Sequence, residues 1–144
     1  MINPISDKEY MLLAIAKVVA TSSTCQRMRV GTVIAIDNRV VSMGYNGSLG
    51  GMQHCTELAF RDATHHHEWA RNYEMHAEAN AIVFAARHGV KIEGATIFCT
   101  HSPCLDCAKL IVQAGIKKVI FEEPYDRENS LDLLREAGVE VKYA

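Results

Sequence analysis

His76-Ala77-Glu78, followed 25 residues later by Pro103-Cys104-Leu105-Asp106-Cys107, sets the strongest constraint on this 144-residue chain. One imidazole and two thiols are metal-ligand types, so a fold that uses them must bring two separate segments to one point. Cys104 and Cys107 stand three apart, about 60° from each other around a helix, and can grip one ion from one face. Ser102 can cap that helix and Pro103 suits its first position, which puts both sulfurs in the first turn at the positive end of the dipole, where thiolates are favoured. His76 and Glu78 stand two apart, roughly 200° on a regular helix, so they can share a site only by straddling an irregular helix start. That helix continues through Ala79, Ile82, Val83 and Ala86. Three protein ligands leave the fourth tetrahedral position to water, the arrangement of a reactive rather than a closed structural zinc, and zinc brings the pKa of such a water toward about 7. Glu78 stays free to move protons.

An isolated Cys-x-x-Cys is also a redox pair or a structural metal pair, and an isolated His-x-Glu carries little information. Their joint occurrence, with Pro103 ahead of the first cysteine, favours the reactive site.

The chain length fits one domain spanning 1–144, and 49% hydrophobic residues are enough to fill a core. A net charge of −2, with Lys and Arg scattered, offers no basic patch and argues against a nucleic-acid partner held by many phosphate contacts. One small anion remains compatible. The sequence has no apolar run of membrane-spanning length, and Met1-Ile2-Asn3-Pro4 lacks the character of a secretion signal. The expectation is a cytoplasmic protein without a membrane partner. Five cysteines, an odd number, then read as ligands and reduced thiols rather than a disulfide frame.

Along the chain, Ser6-Asp7-Lys8-Glu9 is a capping box ahead of a helix with the stripe Leu12, Ile15, Ala16 and Val19. The runs 31–36 and 39–43 are β-branched and joined at Asp37-Asn38, which predicts a tight antiparallel hairpin. After the helix near His76, residues 95–100 read as a strand, 104–113 as a helix ended by Gly115, and 117–122 as a strand. A last helix over 131–136 stops at Gly138 before a strand over 139–143. Strands joined through helices run parallel, so the second half is β-α-β-α-β beside a hairpin. The predicted class is α/β, a three-layer α/β/α fold with a mixed five-stranded sheet.

Arg29-Val30-Gly31-Thr32-Val33-Ile34, Gly44-Tyr45-Asn46-Gly47, His76-Ala77-Glu78-Ala79-Asn80-Ala81-Ile82 and Ser102-Pro103-Cys104-Leu105-Asp106-Cys107-Ala108-Lys109 follow one another as in a known family. The chain resembles the deoxycytidylate deaminases of the cytidine deaminase-like superfamily over nearly its whole length. His-x-Glu with Pro-Cys-x-x-Cys is already associated with zinc-dependent base deamination. Within the superfamily, enzymes of free nucleosides have antiparallel last strands, whereas nucleotide and nucleic-acid deaminases have them parallel with a helix between. The helix over 131–136 places this chain with the second group.

The resemblance implies hydrolysis of dCMP to dUMP and ammonia. Zinc held by His76, Cys104 and Cys107 activates water for attack at C4, while Glu78 carries protons to N3 and to the leaving amine. The Ala77 N–H would meet the ring O2. In the family the Asn of the glycine loop contacts the sugar, which makes Asn46 the ribose candidate, although Asn-Gly alone is equally a hairpin turn. Arg29 can meet the 5′-phosphate or be a solvated residue before a strand. Tyr125 matches a position near the substrate or is a loop aromatic.

Some members carry a second, structural zinc at positions matching Cys25, Cys55 and His66. Asp62 is a candidate fourth ligand, with His65 and His67 as rivals; reduced thiols and a solvated histidine cluster are the alternative. Cys99, mid-strand, reads as buried packing. The resemblance also implies a homohexamer activated by dCTP with Mg2+ and inhibited by dTTP. Phe84, Arg87 and His88 continue the helix of Glu78 and can line a subunit contact, with a solvated helix end the safer reading for Arg87 and His88. Three other readings share the zinc motif: a bifunctional dCMP/dCTP deaminase, a tRNA adenosine deaminase, which should show a basic face, and a catalytically silent nucleotide-binding module, which would have no use for Glu78.

Overall fold

The Ser6 hydroxyl accepts from the Glu9 N–H at 3.2 Å while the Glu9 carboxylate accepts from the Ser6 N–H at 3.1 Å, closing the capping box that the sequence predicts. The computed structural model describes residues 5–25, 27–125 and 129–144. The box opens α1 (Asp7–Ala20), which buries Leu12, Leu13, Ala16 and Ala20. Strands β1 (Gly31–Ile36) and β2 (Arg39–Tyr45) form the expected antiparallel hairpin. Asp37 and Asn38 turn it with φ of 52° and 61°, the left-handed pair that a two-residue hairpin turn needs.

Two features went beyond the periodicity of the sequence. Gly47–Ser48 (β3) pairs antiparallel with Glu74–Met75 (β4), tying the glycine loop to the residues just ahead of His76. Between them, α2 (Ala63–Tyr73) starts at Asp62, whose side chain accepts from the His65 N–H. Two-residue strands have no alternation to read, which is why this small sheet was expected only as loop.

The second half follows the predicted alternation through α3 (Ala77–His88), β5 (Thr96–His101), α4 (Leu105–Gln113), β6 (Lys118–Glu123), α5 (Ser130–Glu136) and β7 (Glu140–Tyr143). Gly115 and Gly138 close α4 and α5 with positive φ. The strands lie in the order β2-β1-β5-β6-β7, with β5, β6 and β7 mutually parallel.

Alternation along the strands assigns the two faces. Ile34, Ile97, Cys99, Val119 and Phe121 pack with Ala81 and Ala85 of α3, Ala108 and Ile111 of α4, and Leu134 of α5. Val33, Ala35, Phe98 and Ile120 point the other way, onto Leu12, Leu13 and Ala16 of α1. Each fully buried Val, Ile or Phe contributes about 1.5–3 kcal/mol, so the central strands are held from both sides. The architecture is the expected three-layer α/β/α sandwich with a mixed sheet and parallel last strands. Among the described residues no helix is long and apolar enough to cross a membrane.

Candidate metal centre and catalytic pocket

The parallel connection from β5 through α4 to β6 sets α4 beside α3, and the starts of both helices meet at one end of the sheet. His76 is the N-cap of α3 and Glu78 is in its first turn, which is the irregular start that their two-residue spacing requires. At α4 the predicted cap is corrected. Cys104, rather than Ser102, is the N-cap, its sulfur accepting from the Cys107 N–H at 3.5 Å. The Ser102 hydroxyl instead accepts from the Tyr125 N–H at 2.6 Å.

His76 Nδ1 lies 3.3 Å from Cys104 Sγ and 3.5 Å from Cys107 Sγ. These three donor atoms all fall within 4.8 Å of one another, a separation one tetrahedral ion can span. A hydrogen bond from the Cys107 thiol and the nearby His76 bring Cys104 to about 4, so Cys104 carries the thiolate. Cys107 is pushed up because it donates to that thiolate and is buried. The Cys104 thiolate likewise raises His76. A nitrogen and two sulfurs at these separations suit zinc, which His76, Cys104 and Cys107 would hold.

Glu78 is buried, and burial raises its carboxyl above the ordinary range, the direction that suits a group exchanging protons near neutrality. It lines a cavity of about 260 Å³ together with Arg27, Asn46, His76, Cys104 and Tyr125. Ala77 also lines it, and its N–H belongs to the first helical turn, where backbone donors lack partners within the helix.

The structure places the remaining sequence candidates unevenly. Asn46 is at the cavity, but its side-chain oxygen accepts from the Val30 N–H at 2.8 Å and the Ser23 hydroxyl at 2.6 Å, and its amide donates to the Met28 carbonyl at 2.8 Å. It holds the segment entering β1 and keeps one amide hydrogen for another partner. Arg29 is exposed and outside the cavity lining, whereas Arg27, two residues earlier, is in it. Strand-like alternation puts both on similar footing in the sequence, so only the fold separates them.

A second cluster joins Cys25, Cys55 and His66 with Glu74, all donor atoms again within 4.8 Å of one another. Cys25 Sγ is 3.9 Å from His66 Nε2, and burial lowers the His66 pKa, keeping its ring neutral. Glu74 Oε1 is buried with no hydrogen-bond partner, an expensive condition that an ion would relieve. Asp62 is spent on the α2 cap and His65 accepts from the Arg61 N–H, so Glu74 takes the place expected for Asp62. Glu74 was legible only as the residue two before His76.

Residues 4–123 match the family model described as the cytidine and deoxycytidylate deaminase zinc-binding region. The deoxycytidylate deaminase of Enterobacteria phage T4 is 39% identical over an alignment of 170 residues that covers 93% of this chain and 88% of that protein. ComE operon protein 2 of Bacillus subtilis is 40% identical, with 96% of this chain and 71% of that protein covered. Among solved structures, the dCMP deaminase of cyanophage S-TIM5 in complex with dCMP and dUMP superposes with a TM-score of 0.83 at 32% identity, over 99% of this chain and 100% of that one.

Proposed function

The chain belongs to the cytidine and deoxycytidylate deaminase family, and from that premise we propose that it converts dCMP and water to dUMP and ammonia. The observation that carries this reading is the convergence of His76 Nδ1, Cys104 Sγ and Cys107 Sγ beside the buried Glu78 carboxylate on one cavity. Zinc held by those three side chains would supply Lewis-acid activation of water. Glu78 accepts a proton from the attacking water and delivers it to N3 of the cytosine ring, then takes the remaining proton from the hydroxyl formed on C4 and passes it to the amine as ammonia leaves and the C4 carbonyl forms. The Ala77 N–H at the start of α3 donates to the ring O2, and the remaining amide hydrogen of Asn46 meets the sugar. Arg27 supplies the cation for the 5′-phosphate, with Tyr125 at the rim.

Cys25, Cys55, His66 and Glu74 hold a second, structural zinc, a reading supported by the orphaned Glu74 oxygen. Metal analysis should find about two zinc ions per chain, falling to about one in Cys55→Ser. The product dUMP feeds dTMP formation, and the reading includes a cytoplasmic homohexamer activated by dCTP with Mg2+ and inhibited by dTTP. The outer face of α3, where Phe84 is 48% exposed and stacks on His88 at 4.2 Å, is the surface offered for assembly. A monomer by sedimentation, or a hyperbolic dCMP curve indifferent to both effectors, removes those parts.

The deciding experiment measures ammonia release from dCMP, dCTP, deoxycytidine and CMP, with Glu78→Ala as control. Selective turnover of dCMP is expected. Equal turnover of dCTP would make the enzyme a broader nucleotide deaminase, and no turnover of any of the four would end the proposal.

A further inference from the structure

The Thr32 hydroxyl donates to Oε1 of Glu78 at 3.4 Å, from a residue that is completely buried near the centre of the sheet. Strand alternation fixes this contact: Val33 packs toward α1, so Thr32 must face α3. Its neighbours across the ladder are Gly44 on β2 and Cys99 on β5. Gly44 carries no side chain into the space that Thr32 and the start of α3 share. The Cys99 thiol, pushed up by burial, is the ladder partner of Thr32 on β5. A β-branched side chain is stiff at χ1, so the hydroxyl is presented in a fixed direction.

Thr32 is not among the candidate metal ligands, so its contact with Glu78 does not depend on metal binding. We propose that Thr32 is a positioning residue for deamination, its hydroxyl pinning one oxygen of Glu78 so that the other faces the reacting base. The inference rests on Glu78 being the proton carrier.

Thr32→Val keeps the shape and removes the hydroxyl. Expected are a fall in kcat of about tenfold or more on dCMP, a KM within about twofold, and an unchanged zinc content. Because a buried substitution can impair folding, Thr32→Ser and Thr32→Ala form a second comparison, since both lose the methyl and differ only in the hydroxyl. The Ser variant should exceed the Ala variant in kcat by about tenfold. In a Glu78→Gln background, Thr32→Val should change the residual rate less than about threefold, because the two act as one unit. A Thr32→Val enzyme within about threefold of wild type, or Ser and Ala variants of equal kcat, overturns the positioning role. If Glu78→Gln itself stays near wild type, the proton-carrier assignment falls and this inference with it; an inactive Glu78→Gln beside an active Thr32→Val removes the positioning role alone.

Discussion

Gly44 and Ala77 meet backbone to backbone: a Cβ built on Gly44 would lie 2.5 Å from the Ala77 carbonyl oxygen and 2.7 Å from the Ala81 nitrogen. The start of α3, which carries His76 and Glu78, is seated on β2 through this one missing side chain. Ser42, two residues earlier on the same strand, donates its hydroxyl to the Ala81 carbonyl at 2.7 Å and fixes the same turn. Gly44→Ala must push the helix start outward. The expected cost is about 1–3 kcal/mol, as for other overpacked sites. Loss of zinc affinity should accompany it, since the His76 ring moves relative to the two sulfurs. Thermal unfolding together with zinc content measures both, and an unchanged melting temperature would refute the close-contact argument.

Far from the cavity, Glu9 anchors α1 to the parallel strands. Its carboxylate accepts from Lys142 Nζ at 3.4 Å and Lys118 Nζ at 3.5 Å, and its side chain is only 12% exposed. Burial alone would raise its pKa; the Ser6 N–H and then Lys118 and Lys142 outweigh burial and hold it below the ordinary 4.5. A depressed carboxyl contributes stability that is present above the unfolded value and lost as pH falls through the folded one. Glu9→Gln should therefore lower stability by about 1–2 kcal/mol at neutral pH, between the exposed and the fully buried limits for ion pairs. The difference from wild type should close as the pH drops below 4.5. Urea melts of both proteins across that range are the check, and a constant difference would contradict the linkage.

The residues proposed to hold the main zinc were readable because each pair is local. His76 with Glu78, and Cys104 with Cys107, declare their relation to a helix start by spacing alone, and the parallel crossover then brings the two starts together. Thr32, Glu74 and Arg27 were not readable in this way. Thr32 matters only because β1 lies opposite the first turn of α3, and Glu74 only because β4 turns it toward Cys25 and His66. Asp62, four before His66, was the natural fourth ligand on helical spacing; the chain instead starts α2 there and uses its carboxylate on the His65 N–H. Ser102 failed as the α4 cap for a related reason. A sulfur at Cys104 already accepts the orphan N–H of Cys107, which leaves the serine hydroxyl for Tyr125.

Asn46 braces the scaffold at the edge of the cavity. Its three side-chain hydrogen bonds reach Ser23, Met28 and Val30, so Asn46→Ala strands the Val30 N–H and the Met28 carbonyl at the entry to β1. The expected result is a loss of about 1–3 kcal/mol in stability. KM for dCMP should rise at the same time, because the same segment carries Arg27. A variant that keeps full stability and loses only affinity would make Asn46 a pure substrate contact and would refute its bracing role.

Arg27 and Arg29 give the sharpest test of what the fold adds to the sequence. Arg27 lines the cavity and Arg29 does not, which makes Arg27 the proposed 5′-phosphate contact. Arg27→Ala should raise KM for dCMP by about tenfold to a hundredfold, the range for a hydrogen bond to a charged group. Turnover of deoxycytidine, which has no phosphate, should be unaffected by that change. Arg29→Ala should leave dCMP kinetics within about twofold of wild type. Steady-state kinetics on both substrates separate the cases: an equal loss on deoxycytidine would mean that Arg27 supports the cavity wall, and a larger effect at Arg29 would return the phosphate contact to the residue that sequence alone suggested.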